Sequence, residues 1–139
     1  MTGPMRNSNV VNLRPRRRSA VLIVDDDPLQ VDQITGYLRR RGIDVRGAPD
    51  GQSALTALAV DQPAVVVMDI NMPGMTGIET ARQMAKLPYK PKIILVSGEP
   101  ERVAEANASG IAVFASVDKP VPLRALETFI RKALADRRG

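Results

Sequence analysis

Apolar runs of strand length alternate along the chain with polar stretches whose apolar positions recur at helical spacing. Ala20–Val24 (AVLIV) is the first run, cut off by Asp25, Asp26 and Asp27. Asp27-Pro28 opens a helix, with the acid as N-cap and proline at the first position. That helix carries Val31, Ile34 and Leu38 on one face, reaches about Arg41 and stops at Gly42. A short, weak strand follows near Asp44 to Gly47, and Asp50 then caps a helix containing Ala54, Leu55, Leu58 and Ala59 that ends by Gln62-Pro63. The central run, Val65 to Met68, is rich in β-branched residues and ends on Asp69, before a turn built on Pro73 and Gly74. A third helix is expected from about Thr76 to Lys86, closed by Pro88, and Lys92–Ser97 (KIILVS) is the fourth strand. Pro100 to Ser109 reads as a polar, weakly amphipathic helix ended by Gly110, and Val113–Val117 as the fifth strand, followed by Lys119-Pro120. The last helix, about Val121 to Ala135, puts Leu123, Leu126, Ile130 and Ala133 on one stripe.

Five βα units with short connections and right-handed crossovers predict an α/β domain: one parallel sheet with helices on both faces. The continuous apolar runs fit strands covered on both sides. No internal repeat beyond this alternation is present, and no linker leads to a second domain. Composition agrees: 139 residues, 44% of them hydrophobic, suffice for one domain with a substantial core.

Charge adds an unevenness. Arg6, Arg14, Arg16, Arg17 and Arg18 lie among Asn, Ser, Pro and Gly in a start without acids, and the rest of the chain is balanced, so the whole net charge of +5 comes from there. Residues 1–18 are expected to form a disordered basic arm and residues 19–137 the folded domain. The arm reads as a solvated leader; the functional alternative is contact with nucleic acid, an anionic membrane or an acidic partner. Export is rejected, because Ala20–Val24 is about half an adequate signal core and runs straight into three aspartates. The apolar runs fall far short of the roughly 20 residues of a membrane helix. With no cysteine there is no disulfide frame or zinc-thiolate site, which fits a reducing cytoplasm. With no histidine the chain offers no imidazole base of its own.

The candidate chemistry sits where strands end. Asp25 and Asp26 follow the first strand, Asp69 the third, Ser97 the fourth and Lys119 the fifth. In a parallel sheet these tips share one edge, where ligands of open α/β folds bind. Clustered carboxylates call for a cation, and an oxygen-only set favours Mg²⁺. A lysine and a hydroxyl beside them suit phosphate oxygens, so the set fits phosphoryl transfer with a carboxylate as acceptor. Singly, each residue has a plain structural reading: helix capping for Asp25–Asp27, a strand-end turn for Ser97, a surface lysine for Lys119. The conjunction at separate strand ends argues for a site.

VLIVDDDP, MDINMPGMTG, IILVSG and DKP together resemble the receiver domain of bacterial two-component response regulators, over about residues 20–135. The resemblance implies a flavodoxin-like, doubly wound (βα)5 fold with strand order 2-1-3-4-5. It implies that Asp69 is the phosphoacceptor and that Asp25, Asp26, Asp69 and the backbone carbonyl of Asn71 hold Mg²⁺. Ser97 would be the switch hydroxyl, Lys119 the partner of the phosphoryl group, and the Lys119–Pro120 bond cis. Asn71 and Glu99 occupy positions that modulate hydrolysis of the acyl phosphate. The donor would be a sensor histidine kinase or phosphotransfer protein, and the target would bind the face of the fourth helix, fifth strand and fifth helix. The chain would act as a cytoplasmic stand-alone receiver, monomeric or dimerising on phosphorylation, rather than as a turnover enzyme.

Three departures from the family pattern stand out: Thr76 replaces a usual Asp, Asp118 beside the lysine is atypical, and Ser116 stands where a switch aromatic is usual. Either Phe114, two residues earlier, partly replaces that aromatic, or switching relies on the loop after Ser97 alone. Two rival functions remain: a Mg²⁺-dependent phosphohydrolase with an aspartate nucleophile, for which Asp25 and Asp27 have the right spacing, and a nucleic-acid-binding protein using the arm.

Overall fold

The computed structural model of the chain describes residues 20–136 apart from residues 73, 75 and 109. The expected arm over residues 1–18, Pro73 of the expected turn and Ser109 at the expected end of the fourth helix lie outside the described residues. Five strands and five helices alternate: β1 (Val21–Val24), α1 (Pro28–Arg40), β2 (Val45–Ala48), α2 (Gly51–Asp61), β3 (Val65–Asp69), α3 (Gly77–Met84), β4 (Lys92–Ser97), α4 (Pro100–Ala108), β5 (Ala115–Asp118) and α5 (Leu123–Ala135). The strands form one parallel sheet in the order β2-β1-β3-β4-β5, the flavodoxin-like order expected.

Alternation within the strands explains the two layers of helices. Leu22, Val24, Val66, Met68 and Leu95 point to one side, against Ala54 and Leu58 of α2, Ile78, Ala81 and Met84 of α3 and Ala106 of α4. Val21, Ile23, Val65, Val67, Ile94 and Val96 point to the other, against Ile34 and Leu38 of α1 and Leu126, Ile130 and Ala133 of α5. Each fully buried aliphatic side chain contributes about 1.5–3 kcal/mol of transfer free energy. The two-sided burial is why β1, β3 and β4 read as unbroken apolar runs.

Caps follow the residue chemistry. Asp27 accepts from the Leu29 N–H at 3.1 Å with Pro28 at N1, and Asp50 accepts from the Ser53 N–H at 2.7 Å. Thr76 and Glu79 form a reciprocal capping box on α3. Boundaries differ from expectation at α3, which ends at Met84 rather than about Lys86, and at β5, which pairs only from Ala115 to Asp118 rather than from Val113 to Val117. As an edge strand it has one partner, and Val113 turns instead into the α2–α4 side of the core.

On the opposite face α1 and α5 are pinned by one carboxylate. Glu127, 6% exposed, accepts from the Tyr37 hydroxyl at 2.8 Å, from Arg41 Nε at 3.1 Å and from Arg131 Nε at 2.9 Å. The Tyr37 hydrogen bond foremost, then the guanidinium of Arg131, holds its pKa below the usual 4.5 against the opposing effect of desolvation. A depressed folded-state pKa stabilises the fold fully above the unfolded value, and that share is lost as pH falls through the lower folded value. Acid denaturation of Glu127→Gln is therefore expected to be less steep below pH 4.5 than that of the unaltered protein. Parallel curves would remove this carboxylate from the acid response.

Candidate functional site

Every strand of the sheet runs the same way, so the carboxyl ends of β1, β3, β4 and β5 meet at one edge. Register does the positioning. Val24 lies beside Met68, which sets Asp25 next to Asp69; Asp69 lies beside Val96, one residue before Ser97; and Ser97 lies beside Asp118, one residue before Lys119. The Lys119 N–H donates to the Ser97 carbonyl at 3.0 Å, and the Lys119–Pro120 bond is cis.

Asp25, Asp26 and Asp69 each turn a carboxylate oxygen into one cluster, these atoms lying within 4.8 Å of one another. Asp69 is 3% exposed and Asp25 5%. Lys119 Nζ donates to Asp69 Oδ2 at 2.8 Å, and the Asn71 N–H to Asp69 Oδ1 at 3.0 Å. Burial pushes the Asp25 carboxyl above its usual range; a hydrogen bond from the Asp27 N–H opposes this, and repulsion from Asp69 adds to it. Partial burial works against the Lys119 ammonium, but the hydrogen bond and charge of Asp69 outweigh it and hold that pKa above its usual value. Three converging carboxylates with one ammonium against them, all oxygen donors, fit a hard divalent cation such as Mg²⁺.

Ser97 reaches the same edge, but its hydroxyl is engaged elsewhere. Its Oγ accepts from the Glu99 N–H at 2.8 Å and lies 3.0 Å from the Glu99 carbonyl, to which it donates. The Glu99 side chain in turn accepts from Asn71 Nδ2 at 3.2 Å, bridging the loops after β3 and β4. The sequence placed both residues near the site and carried no signal that they touch.

Three other expected candidates are drawn apart from the cluster. Asp27 caps α1 and is not among the converging carboxylates. Ser116 is exposed. Phe114 precedes β5, its N–H donating to the Ile93 carbonyl at 2.8 Å, and its ring packs with the α1–α5 side of the core. Ile93 lies four residues before Ser97, about 13 Å away along a strand.

Gly77 escaped the sequence reading altogether. A Cβ there would lie 2.5 Å from the Asp69 carbonyl oxygen and 2.6 Å from the Ile70 Cα, so α3 begins against the very backbone that carries Asp69. The Gly77 N–H also donates to the Ile70 carbonyl at 2.9 Å.

A doubly wound sheet with an acidic cluster at its carboxyl edge is the arrangement that the resemblance to receiver domains implies. The response regulator receiver domain model matches residues 21–131, and the chain belongs to that family. Over 121 residues it is 33% identical to the C4-dicarboxylate transport transcriptional regulatory protein DctD of Pseudomonas aeruginosa, a match covering 87% of this chain and 26% of that protein. Protein PilH of the same organism is 38% identical over 66 residues, 48% of this chain and 54% of PilH. The solved chemotaxis protein CheY4 of Vibrio cholerae matches with a TM-score of 0.72 at 28% identity, over 84% of this chain and 98% of that one. The chain thus spans between about a quarter and a half of the length of these curated relatives. No helix among the described residues is long and apolar enough to cross a membrane.

Proposed function

We propose that this receiver accepts a phosphoryl group on Asp69 from a sensor histidine kinase or phosphotransfer protein in the cytoplasm. The aspartyl phosphate then switches binding of a downstream partner or is relayed onward. One observation carries the reading: a carboxylate 3% exposed at the tip of β3 lies 2.8 Å from an ammonium and within one cluster of oxygen donors.

A carboxylate oxygen of Asp69 attacks the phosphorus in line, and the P–O bond forms as the P–N bond to the donor's imidazole breaks. The electron pair leaves with the imidazole, which takes up a proton. Asp25, Asp26, Asp69 and the Asn71 backbone carbonyl would hold Mg²⁺, which when bound neutralises charge on the phosphoryl oxygens. Lys119 exchanges its contact with Asp69 for one with a phosphoryl oxygen. The Asn71 N–H, already aimed at the acceptor carboxylate, holds that side chain in orientation. Ser97 leaves the Glu99 backbone and donates to the phosphoryl group, drawing in the loop after β4 and repacking the α4–β5–α5 face where the target binds. With Ser116 exposed and Phe114 at the far end of the strand, this switch rests on the loop.

Incubation with phosphoramidate and Mg²⁺ followed by intact-mass spectrometry tests the reading. One acid- and base-labile phosphoryl group per chain is expected; continuous hydrolysis of added phosphomonoesters would mark a phosphohydrolase instead. Asn71 and Glu99 are proposed to help water approach the acyl phosphate. Replacing both with alanine is expected to lengthen its half-life severalfold, and an unchanged half-life would free them of that role.

A further inference from the structure

Glu99 is engaged at both its ends. Its peptide groups hold the Ser97 hydroxyl, which spends its donor and its acceptor on the Glu99 carbonyl and N–H at 3.0 and 2.8 Å. Its carboxylate is held by the side-chain amide of Asn71 at 3.2 Å, and the Asn71 N–H is bonded to Asp69 at 3.0 Å. A short hydrogen-bonded path therefore runs from the acceptor carboxylate through Asn71 and Glu99 to the hydroxyl that must move. The Arg102 N–H also donates to the Glu99 carbonyl at 3.0 Å, which ties the start of α4 to the same residue.

We infer that Glu99 is a positioning residue, a charge-driven lever that sequesters Ser97 while Asp69 is free and releases it when a phosphoryl group arrives. The inference rests on the proposed acceptor role of Asp69. A phosphoryl group there raises the charge on the Asp69 side chain from one negative to about two, beside the Asn71 residue that holds the Glu99 carboxylate, and offers the Asn71 amide a stronger acceptor. Asn71 Nδ2 then exchanges Glu99 for a phosphoryl oxygen, and like-charge repulsion drives the Glu99 side chain outward. Its backbone follows, so the N–H and carbonyl that occupied Ser97 Oγ are withdrawn together. Such a lever needs no aromatic ring behind β5, which accords with a serine at position 116.

Amide hydrogen exchange over residues 97–103 tests both halves. In the unphosphorylated protein, Glu99→Ala and Asn71→Ala are each expected to speed exchange about three- to tenfold, the range one net hydrogen bond supports. Glu99→Gln, which still offers an amide oxygen to Asn71, should exchange like the unaltered chain. This arm needs no phosphorylation, so its outcome is independent of whether Asp69 accepts phosphate. With phosphoramidate and Mg²⁺, exchange in the unaltered chain is expected to rise to the level of Glu99→Ala, and Glu99→Gln to rise much less, because an uncharged side chain is not repelled. Unchanged exchange in both alanine variants, or an equal rise in Glu99→Gln, overturns the lever.

Discussion

Asp69→Asn is expected to abolish phosphoryl incorporation, with the intact mass unchanged after prolonged incubation with phosphoramidate and Mg²⁺. The substitution keeps the side chain's shape at a position 3% exposed, so packing at the tip of β3 is retained. It removes the proposed nucleophile, because an amide oxygen is far less nucleophilic than a carboxylate. It also removes one of three converging negative charges, which relieves repulsion on Asp25 but leaves Lys119 without the ionic partner at 2.8 Å. The net effect on stability is therefore small while the chemistry is lost entirely. Incorporation that persists in a folded Asp69→Asn variant, at Asp25 or Asp26, would move the acceptor off β3 and sink the proposed mechanism.

Gly77→Ala is expected to cost about 3 kcal/mol of stability and to slow phosphoryl uptake at least tenfold. Added methylenes in a packed interior cost about 1–3 kcal/mol, more when nothing soft can yield. Here the added carbon meets backbone at 2.5 and 2.6 Å, whereas carbon contacts settle near 3.5–4.0 Å. Against a total of about 5–15 kcal/mol for a domain, that loss shows plainly in a denaturant midpoint. The functional part follows from what is struck: the carbonyl of Asp69 itself. Either α3 backs away, or the acceptor tips out of line with Lys119 and the other acids. A variant with unaltered midpoint and unaltered uptake would mean that the β3–α3 junction accommodates a side chain.

Much of the architecture was legible because strands buried on both faces need unbroken apolar runs. β1, β3 and β4 appear in the sequence at nearly their observed bounds, as do the caps Asp27 and Asp50, whose chemistry is local. β5 was misplaced by two residues at its start, since an edge strand is bounded by its single partner and not by its own hydrophobicity. The acids and the lysine were legible as a site because parallel topology forces strand tips onto one edge. The T-x-x-E spacing of Thr76 and Glu79 held a further signal, a capping box marking the start of α3.

The order of residues along the chain thus determined the layered fold, the parallel direction of the strands and the identity of the acids and lysine at their tips. Those follow from periodicity and from groups a few residues apart. Tertiary structure alone decided that Ser97 is held by Glu99, that Glu99 touches Asn71, that Phe114 lies at the far end of β5 and that Gly77 leaves no room beside Asp69. Glu127 gripping Tyr37 across 90 residues belongs with them. Each of these depends on the distance between atoms remote in sequence or on the direction a side chain takes in a loop, and neither is set by local hydrophobic pattern or spacing.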